Sequence, residues 1–333
     1  MKIVALEEHF ATPEVMAAWR ALGPESRDLA MKHSTAGEVE RRLLDLGADR
    51  VRAMDAAGVN VQVLSLTAPG VQNLDPEEAV ALARSANDLL AATVRARPDR
   101  FRGLATLATP DPAEAARELH RCVRELGFDG AMLYGRTRDR NLDHPDFRPI
   151  FEAAAELRAP IYLHPQSPPP AVRAAYYEGF GEPLDALFAS PGIGWHYETG
   201  VQTLRLVLAG TFDRFPDLQL VLGHWGEVVL FYLERVDGMS QAAATTTGLR
   251  RPVSDYFRTN VSVTPSGLFS PRYLGWAREV LGVDRILFSA DYPYKFEPDG
   301  AARRYLESAD LDDAGREAIA HGNWDRMVAA IRR

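Results

Sequence analysis

A chain of 333 residues with a net charge of −8 and 46% hydrophobic residues has the balance of a soluble globular protein. The acidity, and the lack of any long basic run, argue against a nucleic-acid or anionic-membrane surface, and no stretch approaches the roughly 18–20 apolar residues of a membrane helix. The single cysteine, Cys122, excludes an intrachain disulfide and a cysteine-built metal site, and fits a reducing cytoplasm.

The first residues, Met1–Leu6, are apolar apart from Lys2, but Glu7, Glu8 and His9 end the run too early for a signal peptide. Short apolar runs then alternate with longer helical patterns. The strand expectations are Ile3–His9, Val61–Leu66, Phe101–Leu107, Gly130–Tyr134, Pro160–His164, Gln219–His224, Phe257–Val263 and Arg285–Asp291. Helical patterns run over Pro76–Arg97 and Pro112–Leu126. Asp75 and Asp111 stand as N-caps before a first-turn proline, and Gly127 ends the second pattern. Strands alternating with helices imply βαβ units and a parallel sheet. Eight of them imply a (β/α)8 TIM barrel, whose usual length of about 250 residues is exceeded here. Residues 1–333 are read as a single barrel domain. A charged stretch from about residue 20 to 45 is read as an insertion after strand one. The proline-rich stretch Gln166–His196 is read as an insertion after strand five, on the side where barrels build their sites.

Five polar residues fall at the C-terminal ends of four expected strands: Glu7 and His9, His164, His224 and Asp291. Strict alternation would turn Glu7 and His9 to the barrel mouth with Ile3 and Ala5 beneath them, and Glu8, Val4 and Leu6 outward. Strand ends of a barrel converge on one place. Unpaired carboxylates and imidazoles buried there would be costly, and a divalent cation removes that cost.

Glu7-Glu8-His9-Phe10, Leu163-His164-Pro165, Gly223-His224-Trp225-Gly226-Glu227 and Ser289-Ala290-Asp291-Tyr292-Pro293-Tyr294 resemble the amidohydrolase superfamily. The closer likeness is to its non-oxidative decarboxylases, which act on γ-resorcylate, 2,3-dihydroxybenzoate, 5-carboxyvanillate and aminocarboxymuconate semialdehyde. It extends to Phe212–Pro216 and Gly322-Asn323-Trp324. The resemblance implies Glu7, His9, His164 and Asp291 as ligands of one divalent metal, zinc or manganese, with no organic cofactor. It implies His224 and Glu227 as a catalytic pair beyond the metal. Glu227 read alone is also a first-turn carboxylate favoured by the helix dipole. Binuclear relatives need a bridging lysine or glutamate on strand four, and Gly130–Tyr134 has neither.

The implied reaction is decarboxylation of a hydroxybenzoate-like acid: Asp291 protonates the ring carbon bearing the carboxylate, and CO2 leaves. Phe10, Trp225 and Tyr294 are candidate aromatic walls for the substrate. Arg136 and Arg235 are candidate carboxylate partners, and His196 is a further site candidate. The competing readings are a metal-dependent lactone or amide hydrolase, a hydratase of a ring-cleavage product, and a non-catalytic binding protein. Two positions depart from the family pattern. Tyr292-Pro293-Tyr294-Lys295 stands where Trp-Pro-Phe and an acidic residue are common, and Gln166 stands where an arginine is common. The phenol of Tyr294 suggests a more polar substrate. The resemblance also implies a homodimer or homotetramer.

Overall fold

A computed structural model describes residues 1–333. Its strands are β1 (Val4–Phe10), β2 (Val61–Leu66), β3 (Phe101–Gly103), β4 (Ala105–Thr106), β5 (Ala131–Tyr134), β6 (Ile161–His164), β7 (Leu220–Leu222) and β8 (Val261–Val263). All pairings are parallel, in the orders β1-β2-β3 and β4-β5-β6-β7-β8. β3 and β4 are two halves of one barrel strand, interrupted at Leu104, whose amide donates to the Leu64 carbonyl at 2.9 Å. The ring closes through residues 286–289. The Leu287 amide donates to Val263 and the Leu6 amide to Phe288, both at 2.9 Å. The result is an α/β TIM barrel.

Two of the expected strands are corrected. Residues 257–260 belong to a helix, Val253–Asn260, and only Val261–Val263 extend. Tyr256 and Phe257 are adjacent and both fully buried, and the Asn260 side chain ends the helix by donating to the Pro216 and Leu218 carbonyls. The expected strand Arg285–Asp291 forms no continuous ladder. It makes only the bridges Val263–Ile286 and Leu6–Ser289.

The barrel interior is filled by Val4, Leu6, Val61, Val63, Leu104, Met132, Tyr162, Val221 and Leu287. Ile3 and Ala5 pack in the outer layer, among the residues of the surrounding helices. This reverses the expected facing of residues 3–6. The reason is a β-bulge. Between Ala5 and Glu8, β1 advances three residues while β2 advances two, from Gln62 to Leu64. Glu7 takes the extra place in the left-handed region, with φ 61°. Bulges of this kind re-aim side chains beside active sites. Here the bulge resets the alternation, so that Glu7 and His9 meet at the mouth although Val4 and Leu6 fill the interior below.

The stretch after β1 carries helices Leu29–Ser34 and Gly37–Leu44. Asp28 caps the first of them and reaches Ser167 of the second insertion, accepting from its hydroxyl at 2.8 Å and its amide at 3.2 Å. The two insertions are thereby tied together. The second insertion, after β6, leads into a long helix, Gly194–Leu208.

Candidate metal centre

β1, β6 and the loop after residue 289 bring Glu7, His9, His164 and Asp291 together. One donor atom from each of Glu7, His9 and His164 lies within 4.8 Å of the others. His164 Nε2 is 3.4 Å from Glu7 Oε1, and His9 Nε2 is 3.5 Å from Asp291 Oδ1. Ligands about 2.1 Å from a common ion stand about 3–4 Å apart, so these separations suit one shared cation.

The remaining polar atoms fix which donors are free. Tyr162 donates to Glu7 Oε2 at 2.6 Å, and the Ser266 hydroxyl donates to the same oxygen. His164 Nδ1 donates to the Pro165 carbonyl at 2.9 Å, leaving Nε2 as a lone-pair donor. Glu7 Oε1 and both ring nitrogens of His9 are buried without any hydrogen-bond partner. Burial raises the Glu7 carboxyl to about 8, with Asp291 adding to the shift against the pull of His224. Burial likewise raises Asp291 to about 7 and lowers His9 to about 3. Neutral imidazoles beside a crowded carboxyl are the state that a divalent cation relieves, since it takes the place of the proton on Glu7 and accepts the imidazole lone pairs. The residues present therefore fit a metal.

Gly223 marks how tightly this wall is built. A Cβ there would come within 2.6 Å of Ser266 Oγ and 3.0 Å of Glu7 Oε1.

Beside the cluster, residues 224–228 run through a tight turn with positive φ at His224, Trp225, Glu227 and Val228. Such a conformation costs about 1–3 kcal/mol per non-glycine residue and tends to be kept at functional sites. The turn aims the Glu227 carboxylate at two histidines. Oε1 is 2.7 Å from His224 Nδ1, and Oε2 is 2.8 Å from His196 Nδ1. Burial alone would lower His224, but Glu227, Glu7 and Asp291 outweigh it and raise it to about 9. Burial would raise Glu227, but the two histidines hold it down at about 2. The pair is charged at neutral pH.

Sequence spacing does not pair His196 with Glu227, because it lies 31 residues from this partner in a long excursion. Its helix position, two residues into Gly194–Leu208, is what delivers it. His196, His224 and Trp225 line a cleft of about 750 Å³, whose further walls include Leu268, Phe231 and Trp276.

Other sequence candidates are placed differently. Phe10 is fully buried in the core outside the barrel ring, because the alternation after the bulge turns it away from His9. It is no wall of the site. The Tyr294 ring stands 5.6 Å from His9, but its hydroxyl is held by Ser34 at 2.5 Å and Thr67 at 2.7 Å. That phenol fastens the first insertion to the barrel and offers no new polarity to a substrate. Arg136 is occupied by Glu198 at 3.2 Å and by the Ser167 carbonyl. Arg235 is exposed on the helix Val229–Ala242.

The family described as Amidohydrolase matches residues 9–328. The γ-resorcylate decarboxylase of Polaromonas sp. (strain JS666) is 39% identical over 99% of each chain. The solved 5-carboxyvanillate decarboxylase of Sphingomonas paucimobilis superposes with a TM-score of 0.90 at 36% identity, over 99% of both chains. A dihydroxybenzoic acid decarboxylase from Polaromonas sp. JS666, solved with manganese and the inhibitor 2-nitroresorcinol, covers 100% of this chain and 98% of its own. Its TM-score is 0.86 and its identity 37%. This chain belongs to the amidohydrolase family, among its decarboxylases.

Proposed function

We propose that the substrate is a hydroxybenzoate with a hydroxyl ortho to its carboxylate, and that Glu7, His9, His164 and Asp291 hold the metal on which its decarboxylation depends. The enzyme is a metal-dependent carboxy-lyase of aromatic acids. The observation that carries the ligand assignment is the set of buried, partnerless donors at Glu7 and His9, with Asp291 3.5 Å away.

When bound, a divalent ion supplies Lewis-acid polarisation and an anchor for the oxygens of an ortho-hydroxy acid. Asp291, as a carboxylic acid, delivers its proton to the ring carbon bearing the carboxylate. That step breaks aromaticity and sets the barrier. The C–C bond then breaks, its electron pair restores the ring, and CO2 leaves. His224, held as imidazolium by Glu227, donates to the negative charge that develops on the substrate oxygens. Trp225, beside His224 in the apolar cleft, offers the ring an apolar wall. Each turnover consumes one proton, which returns to Asp291 from solvent.

The ion is manganese or zinc, both suited to two imidazoles and two carboxylates, and no organic cofactor takes part. The enzyme works in the cytoplasm, as a homodimer or homotetramer, without nucleic acid or membrane. No helix is long and apolar enough to cross a membrane.

The test loads purified protein with Mn2+ or Zn2+ and offers a panel of hydroxybenzoates. CO2 and the matching phenol should appear for acids with an ortho hydroxyl. Turnover confined to a lactone panel would sink the reading in favour of a hydrolase.

A further inference from the structure

Glu8 is fully buried, yet it points away from the metal cluster. Both of its oxygens are engaged. Oε1 accepts from the Ala290 amide at 2.8 Å, and Oε2 accepts from Gln62 Nε2 at 2.8 Å. Gln62 is buried as well, and its Oε1 accepts from Arg50 Nε at 2.9 Å. Arg50 is fully buried. It donates onward to the His9 carbonyl and the Asp45 carbonyl, and its guanidinium lies 4.7 Å from the centre of the Tyr292 ring.

This chain of groups grips the backbone on both sides of two metal-cluster residues. His9 is held through its carbonyl by Arg50 and through its amide, which donates to the Tyr292 carbonyl at 2.7 Å. Asp291 is bracketed by the bond at the residue-290 amide and by that at the residue-292 carbonyl. Asp291 itself has φ 61°. A non-glycine residue in that region persists only when its surroundings over-determine it. A buried polar chain of this kind is a weak source of stability, because desolvation offsets the attraction between its groups. As a source of position it is strong, since both Glu8 oxygens and the Gln62 oxygen are each held by a partner.

We propose that Glu8, through Gln62 and Arg50, is a positioning residue that sets the spacing between His9 and Asp291. The inference rests on the ligand assignment proposed above. The direction of the hydrogen bonds makes it testable. Gln62 cannot turn its amide around, because its oxygen is required by Arg50. A glutamine at position 8 would therefore set two NH2 groups against each other, or lose the Ala290 amide. A glutamate at position 62 would set two carboxylates against each other. Making both changes restores every partner: Gln at 8 donates to Glu at 62, which still accepts from Arg50.

The experiment compares wild type, Glu8→Gln, Gln62→Glu and the double exchange. Mn2+ affinity is read by chelator competition on metal-free protein, alongside kcat, KM and the melting temperature of the metal-free form. Each single variant should bind Mn2+ about 10–100-fold more weakly, with the loss of turnover falling on kcat rather than KM. The double exchange should return the affinity to within about threefold of wild type, as coupled neighbours do. Single variants that bind and turn over like wild type would overturn the proposal. So would a double exchange no better than the worse single. If neither single variant folds, the double exchange alone decides on the same criterion. Wild-type protein that takes up no Mn2+ would instead sink the ligand assignment, and the brace with it.

Discussion

Two clusters of imidazole and carboxylate lie side by side at the barrel mouth, and they treat their polar atoms in opposite ways. In the first, Glu7 Oε1 and the His9 nitrogens are buried without partners. In the second, Glu227 gives one oxygen to His224 and the other to His196. Both clusters have the composition and spacing to hold a metal. Composition therefore does not separate a ligand set from a hydrogen-bonded one; satisfaction does. A buried orphan costs about 1–3 kcal/mol, so Glu7 Oε1 and the His9 nitrogen that faces Asp291 call for an occupant. A carboxylate already shared between two imidazoles calls for none. This contrast supports the proposal that the first cluster holds the metal and the second holds a charge in place.

The largest expected effect strikes the first cluster. Asp291→Asn should lower kcat by at least about 10³-fold, the scale of a lost general acid. Steady-state kinetics at saturating Mn2+ would measure it, and retained turnover would remove Asp291 from the chemistry. Stripping divalent ions should abolish turnover and lower the melting temperature. Ion at 100 times its Kd should restore stability by about 2.7 kcal/mol. An ion-independent melting temperature contradicts the orphan argument.

Glu227→Gln addresses the second cluster and should cost about 10²–10³ in kcat. Its pH profile is the sharper readout. His224 is raised to about 9, so its imidazolium persists through neutral pH and is lost as pH rises through about 9. Without the Glu227 charge that alkaline limb must move to lower pH. A limb that stays put would show that Glu227 does not hold the charge of His224. The same pair stabilises the fold below the ordinary histidine value, and this contribution fades as pH rises through about 9.

The smallest effect belongs to the periphery. Tyr294→Phe removes the hydroxyl that joins Ser34 and Thr67. Denaturant unfolding should show a loss of about 1 kcal/mol, with substrate preference unchanged. A changed preference would return Tyr294 to the substrate wall.

Much of this was legible in the sequence because it depends on local pattern. Alternating apolar runs and helix starts such as Asp111-Pro112 announce a barrel, and polar residues at strand ends announce its mouth. What was hidden depends on register and distance. The bulge at Glu7 leaves no compositional trace, so alternation gave Glu7 and His9 a shared direction while misplacing Val4 and Leu6 below them. Phe10 alternates with His9 and so faces away from the site with or without the bulge. Residues 286–289 carry the apolar pattern of a strand but are held by single bridges and two amides. His196 reaches Glu227 only because the second insertion folds back over the mouth. Tyr294 looked free because Ser34 lies 260 positions away.

Anomalous diffraction from Mn2+-loaded crystals tests the contrast between the two clusters most directly. One peak per chain is expected, bounded by Glu7, His9, His164 and Asp291, with the Glu227 bonds to His224 and His196 intact. A peak seated between His196, His224 and Glu227 would contradict it.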